Sequence, residues 1–173
     1  MKMERTVYTL ILATALWAGA TSAVEQGDAA PQWSSADFSG RLVQFPDESA
    51  GKPAVVLFWA TWCPYCKAFM PYLEQIQADY AQAGVSIVGI NAKERGRGDA
   101  EAYVASLGFP IIGIPDGDSI AETYDVQFIP GLFVVDGNGI IAYRRGWTDF
   151  PAGSTVAELW DQQVRDALDR LLN

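Results

Sequence analysis

Histidine is absent from this 173-residue chain, and cysteine occurs only twice, at Cys63 and Cys66. A structural zinc site wants four such ligands, so the pair cannot be half of one. A copper-carrying site built on cysteine plus histidine is excluded for the same reason. No metal and no other cofactor is therefore expected. Positive charge is also scarce: 12 Lys and Arg stand against 21 Asp and Glu, a net charge of −9. A surface that acidic argues against nucleic acid and anionic lipid as partners. Internal repeats and low-complexity tracts are missing as well.

Long hydrophobic runs are the remaining absence. The apolar stretch near the start, Val7 to Ala18, falls short of the about 20 residues that span a bilayer. Lys2 and Arg5 precede it, and Thr21-Ser22-Ala23 offers small residues for cleavage. This is the pattern of a secretory signal peptide over residues 1–23, with an uncleaved membrane anchor as the alternative. No cysteine follows the stretch, so attachment as a lipoprotein is excluded. Export makes the periplasm the expected location, an oxidising compartment where a dithiol rests as a disulfide unless something reduces it. Loss of Lys2, Arg5 and Glu4 with the leader brings the net charge to about −10. Residues 24–31 are small and polar and are expected to be a flexible leader, and residues 32–173 have the size of one domain.

Within that domain, Phe38 to Phe45 has the alternation and glycine turn of a short hairpin. Ala54 to Trp59 is a continuous apolar run, read as a strand buried on both faces. From Pro64 to about Ala83, Phe69, Met70, Leu73, Ile76 and Tyr80 recur at helical spacing, with Pro71 inside the pattern and Gly84 ending it. Val85 to Ile90 is a second buried strand, and the charged loop Asn91 to Gly98 reads as a solvated turn. Asp99 is placed to cap a helix running to Leu107. Ile111 to Ile114 is a short strand, and Ser119 with Glu122 spells a capping box. Leu132 to Val135 and Ile140 to Arg144 are strands around the turn Asp136-Gly137-Asn138-Gly139. Thr155 with Glu158 is a second capping box, opening a final amphipathic helix. Strands alternating with helices in this way predict a sheet with helices on both faces.

The two cysteines lie at the C-terminal end of the first buried strand, where open α/β sheets tend to place their sites. Two thiols three residues apart at a helix start close reversibly into a disulfide. Only the thiolate attacks a disulfide, and unpaired N–H groups with the helix dipole favour negative charge at that end. Cys63 is therefore expected to be the exposed nucleophile, and Cys66, one turn inward, the shielded resolving thiol. Pro64 suits the first helical turn, where its missing N–H costs nothing. A purely structural bridge is the weaker reading, because so small a loop constrains the unfolded chain little.

The segment Phe58-Trp59-Ala60-Thr61-Trp62-Cys63-Pro64-Tyr65-Cys66-Lys67, with Pro71 beyond it, resembles the active-site segment of the thioredoxin superfamily. The export signal, the hairpin, the helix and strand between Asn91 and Ile114, and the Ile129-Pro130 step narrow the resemblance to the exported TlpA/ResA-like branch. It implies a thioredoxin-like α/β fold: a mixed central sheet with helices on both faces, an N-terminal hairpin and a central helix–strand insertion. It further implies thiol–disulfide oxidoreductase activity through Cys63 and Cys66, with Pro130 a cis-proline facing them. Trp62, Pro64, Tyr65, Ile129 and Pro130 would then form the substrate-binding rim, while Phe128 is expected in the core. The implied partners are exported proteins carrying disulfides or dithiols and a membrane thiol electron donor.

The chain also departs from the family. Pro64-Tyr65 is the glutaredoxin dipeptide, and Gly131 stands where a threonine commonly follows the cis-proline. Leu57 and Phe69 occupy the two places where relatives carry an acid for the resolving thiol. A peroxidase is disfavoured because the threonine and proline expected before its cysteine are not at the right offsets. An oxidase or isomerase, and a non-catalytic docking module with a structural disulfide, are the alternatives. The resemblance and Ile129 before Pro130 favour a reductase, for example in cytochrome c maturation.

Overall fold

The computed structural model describes residues 24–96, 98–146 and 155–173. The expected signal peptide lies outside them. Eleven elements follow one another: β1 Trp33–Ala36, β2 Leu42–Phe45, β3 Ala54–Trp59, α1 Pro64–Asp79, β4 Ser86–Asn91, α2 Ala100–Ala105, β5 Ile112–Ile114, α3 Asp118–Thr123, β6 Gly131–Val135, β7 Ile141–Arg144 and α4 Val156–Leu172. The central sheet has the order β5-β4-β3-β6-β7. Its first three strands run parallel and β6 and β7 antiparallel to their neighbours. β3 sits in the middle with every residue buried, as a strand covered on both faces must be.

Alternate residues of β3 divide the core. Val55, Leu57 and Trp59 face a cluster built with Phe69, Leu73 and Ile76 of α1 and Trp160, Val164 and Leu168 of α4. Ala54, Val56 and Phe58 face the other, with Ile120 and Ala121 of α3, Tyr124, and Val43 and Phe45 of the hairpin. Cys63 and Cys66 belong to the first cluster. The predicted mixed sheet with helices on both faces, the N-terminal hairpin and the helix–strand insertion, α2 and β5 between β4 and α3, are all present.

Three local expectations are corrected. The hairpin pairs Trp33–Ala36 with Leu42–Phe45, so its first strand lies upstream of Phe38. The intervening turn is closed by Asp37, which accepts from Ser39 N, Ser39 Oγ and Arg41 N. The Phe38 N–H, freed from the ladder, donates to Gly113 O of β5. The Ser119–Glu122 capping box does not form: α3 begins at Asp118 and has no side-chain cap. Asp118, the acid at that helix start, instead accepts from Lys93 N at 2.7 Å. The Thr155–Glu158 box does form, with both reciprocal bonds.

Residues 24–31, expected to be a flexible leader, are held along β7. Gly27 N donates to Ile141 O, Ile141 N to Asp28 O and Ala30 N to Gly139 O. Arg144 pairs with Glu25 at 2.7 Å, and Ala30 is buried in the second cluster. Small residues carry no periodic signal, yet their backbone groups satisfy an edge strand that would otherwise stand open.

Candidate active site

Cys63 and Cys66 are joined as a disulfide with Cα atoms 5.3 Å apart. Cys63 is the N-cap of α1, extended at φ −85°, ψ 106°, and Pro64 occupies the first helical turn. The Cys63 sulfur accepts from Cys66 N at 3.2 Å, so the free N–H of the first turn already points at it. That is the geometry in which a negative charge on Cys63 is stabilised. The expected exposure of Cys63 is corrected: it is 2% exposed, against 0% for Cys66. The bridge packs into the first core cluster, and the little surface it offers belongs to Cys63. Leu57 and Phe69 are fully buried in the same cluster, so the positions where an acid was missing from the sequence are filled with hydrocarbon.

The loop before β6 carries the other element expected at the site. The Ile129–Pro130 peptide bond is cis. Phe58 of β3 pairs with Gly131 of β6, and one further step in that antiparallel register sets Pro130 beside Trp59, four residues ahead of Cys63. Ile129 is partly buried against both core clusters. Gly131 has a steric explanation: a Cβ there would lie 2.8 Å from Val126 Cγ1 and 3.3 Å from Phe58 Cβ. Arg145 donates from Nε to Pro130 O at 2.8 Å, and its guanidinium lies 5.1 Å from the Trp160 ring centroid. Burial pushes that guanidinium down from its usual value, with Tyr143 opposing.

Three aromatic side chains of the cysteine motif and of the loop before β6 are exposed to water. Trp62 is 36% exposed, Tyr65 57% and Phe128 73%. Phe128, expected in the core, is turned outward. It lies in the bend between α3 and β6, before the strand alternation begins; Val126, two residues earlier, is the one that packs inward.

The loop after β4, read from the sequence as a solvated turn, is bound to the cysteine motif. Glu94 Oε2 accepts from Thr61 N at 2.8 Å and from Asn91 Nδ2 at 3.0 Å. Its Oε1 accepts from Thr61 Oγ1 at 2.7 Å and from Arg95 N at 3.2 Å. Burial raises the pKa of this carboxyl, but the hydrogen bonds from Thr61, Asn91 and Arg95 outweigh it and hold the group below its ordinary value. Trp62 Nε1 donates to Lys93 O at 2.8 Å, and the Arg95 guanidinium stacks 3.7 Å from the Trp62 ring centroid. No motif announced this. The one available signal was the strand register, because Trp59 pairs with Asn91 and the two loops must leave the sheet side by side.

Comparison with known proteins agrees with this geometry. The family model AhpC/TSA matches residues 26–144. The chain is 35% identical over 133 residues to the thiol:disulfide interchange protein DsbE of Escherichia coli, covering 76% of this chain and 66% of that protein. It is 34% identical over 146 residues to the thiol-disulfide oxidoreductase ResA of Geobacillus thermodenitrificans, covering 78% of this chain and 81% of that one. The crystal structure of a Chlorobium tepidum protein proposed to be a DsbE superposes with a TM-score of 0.69 at 27% identity, covering 84% of this chain and 99% of the other. The chain spans between 56% and 66% of the length of the DsbE relatives it matches. A buried cysteine pair at a helix start, a cis-proline before β6 and these relatives agree: the chain belongs to the AhpC/TSA family of thioredoxin-like proteins and stands there with DsbE and ResA.

Proposed function

We propose that this protein is an exported thiol–disulfide oxidoreductase that works as a reductase of exported proteins. The observation that carries the reading is the Cys63–Cys66 bridge at the α1 N-cap, with Cys66 N–H aimed at the Cys63 sulfur. In the reduced enzyme the Cys63 thiolate attacks a client disulfide, forming a mixed disulfide and expelling one client thiolate. Cys66, deprotonated, then attacks the Cys63 sulfur. The second client thiolate leaves, and the Cys63–Cys66 bridge re-forms. Two electrons and the bridge's two sulfur valences balance between enzyme and client.

In this reading the cis Ile129–Pro130 segment offers its backbone to an extended client strand, as in strand addition. Trp62, Pro64, Tyr65, Ile129 and Pro130 are the docking contacts, and exposed Phe128 extends that rim. A compartment that supplies no electrons requires a membrane thiol donor to reopen the bridge. Clients of this chemistry include apocytochromes whose paired cysteines have closed into a disulfide and must be reduced to thiols before haem attachment. Among the described residues no helix is long and apolar enough to cross a membrane.

The test is trapping. Cys66→Ser should accumulate a mixed disulfide with clients, and Cys63→Ser should accumulate none. Equal trapping by both variants overturns the roles, and full activity in a double Cys→Ser variant overturns the redox reading. Direction is read from the reduction potential: a value near ~−270 mV supports a reductase, and one near ~−120 mV an oxidant.

A further inference from the structure

Glu94 has no place in the dithiol chemistry, yet it is the most heavily bonded side chain beside it. An ionised carboxylate is an acceptor only, with roughly four lone-pair sites on two oxygens. Here the donors are the Thr61 N–H, the Asn91 amide, the Thr61 hydroxyl and the Arg95 N–H. Three of these groups must donate, and the hydroxyl is free to. A carboxylate satisfies all of them; an amide would set its NH2 against one.

What Glu94 ties together is the turn that carries Cys63. Thr61 is two residues before the cysteine and is itself buried. Trp62, between them, is held at its edge by Lys93 O and on its face by Arg95. Both neighbours of Glu94 therefore grip Trp62, while Glu94 grips the residue before it. The near end of the loop is anchored too, since Lys93 N donates to Asp118 at the start of α3. Gly98 closes over Thr61 so tightly that a Cβ would collide with the threonine side chain.

We propose that Glu94 is a positioning residue for exchange at Cys63: its carboxylate fastens the loop after β4 to Thr61, and through Lys93 and Arg95 it sets Trp62 beside the bridge. The proposal rests on the oxidoreductase reading and adds to it how the nucleophile's turn is held. The substitution of a neutral, shorter or amide side chain frees Trp62 without touching either sulfur.

The experiment uses the purified protein and oxidised glutathione as the probe, so it requires no client. Rates of exchange are measured for the reduced wild type, Glu94→Ala, Glu94→Gln, Trp62→Phe and the two double variants. Circular dichroism checks that each is folded. Loss of charge-assisted bonds that hold the reacting turn is expected to slow Glu94→Ala about tenfold, and isosteric Glu94→Gln, which orphans mainly the Arg95 N–H, about threefold. In the Trp62→Phe background the Glu94 substitutions should lose most of their effect, to within about twofold, because they act through that ring. The fluorescence change on Glu94→Ala should vanish in the same background. Equal slowing with and without Trp62, or a folded Glu94→Ala that exchanges at the wild-type rate, overturns the proposal and leaves the function intact. A wild type that fails to exchange overturns both.

Discussion

Two carboxylates in this molecule do the same job at different scales. Asp37 collects Ser39 N, Ser39 Oγ, Arg41 N and Arg41 Nε within a turn of five residues. Glu94 collects a comparable set, but its main partner Thr61 is 33 residues away in sequence. Both are held below their ordinary values by those donors. Asp37 joins nothing that the chain had not already brought together, so it stabilises a hairpin. Glu94 joins loops leaving two different strands, and one of them carries the dithiol. An identical interaction becomes functional when it spans elements instead of closing a turn.

The sharpest way to break the Glu94 side of this pair leaves the carboxylate itself alone. Gly98→Ala drives a methyl group into the Thr61 side chain that Glu94 holds. Overpacking of this kind costs about 1–3 kcal/mol. The loop is expected to lift from Thr61, lowering the melting temperature and slowing exchange with oxidised glutathione about as much as Glu94→Ala does. The glycine of the hairpin turn, Gly40, has open space at its Cβ position and a φ of +85°. Gly40→Ala therefore costs only the left-handed backbone penalty, on the order of 1 kcal/mol, and leaves exchange untouched. A Gly98→Ala protein that exchanges normally would show that the contact on Thr61 is incidental.

Acid separates the two carboxylates more gently. A carboxyl whose folded pKa is depressed contributes stability that is present above its unfolded value, about 4.3 for glutamate, and is lost as pH falls through the folded value. Both groups fall in that window, so a global stability curve declines for either reason. Trp62 distinguishes them. Its fluorescence is expected to change as pH falls below the ordinary glutamate range, when Glu94, held below that range by its donors, takes a proton and releases Arg95 and Thr61. The transition should be absent from Glu94→Gln and unaltered in Asp37→Asn. Its persistence in Glu94→Gln would mean that another group controls the ring.

The same contrast explains what could be read from the sequence. Local devices were legible: the β3 run, the helical period of α1, Cys63 and Pro64 at its start, the Asp99 cap and the Thr155–Glu158 box all depend on residues within a turn of one another. Ser119 and Glu122 had the right spacing and failed, because α3 starts at Asp118 and that carboxylate is turned to Lys93 from another loop. The Lys93–Gly98 loop looked like a solvated charge run because its partners are set by the β3–β4 register, which no local pattern encodes. Phe128 misled in the opposite sense: an apolar residue before a strand is ordinarily packed, and only the course of the bend puts it in water. The depth of Cys63 was equally hidden, since burial there is decided by α1 and α4 closing on β3.

The smallest effect is expected where the comparison predicts none on chemistry. Asp37→Asn keeps an acceptor for the Ser39 and Arg41 N–H groups but removes the charge that pairs with Arg41, a contact whose arginine is about half exposed. Exposed pairs of this sort are screened by solvent and contribute little. Arg41 also keeps its contact with Glu48 at 2.6 Å, which limits the loss further. A slightly lower denaturation midpoint with an unchanged exchange rate and unchanged Trp62 fluorescence is the expected result. A slowed exchange would be the more instructive failure. The hairpin turn touches the active-site half of the sheet through Phe38 N and Gly113 O of β5, and β5 pairs with β4, which delivers Glu94. An effect carried along that route would make the hairpin part of the same scaffold, and the division between local and spanning carboxylates would have to be redrawn.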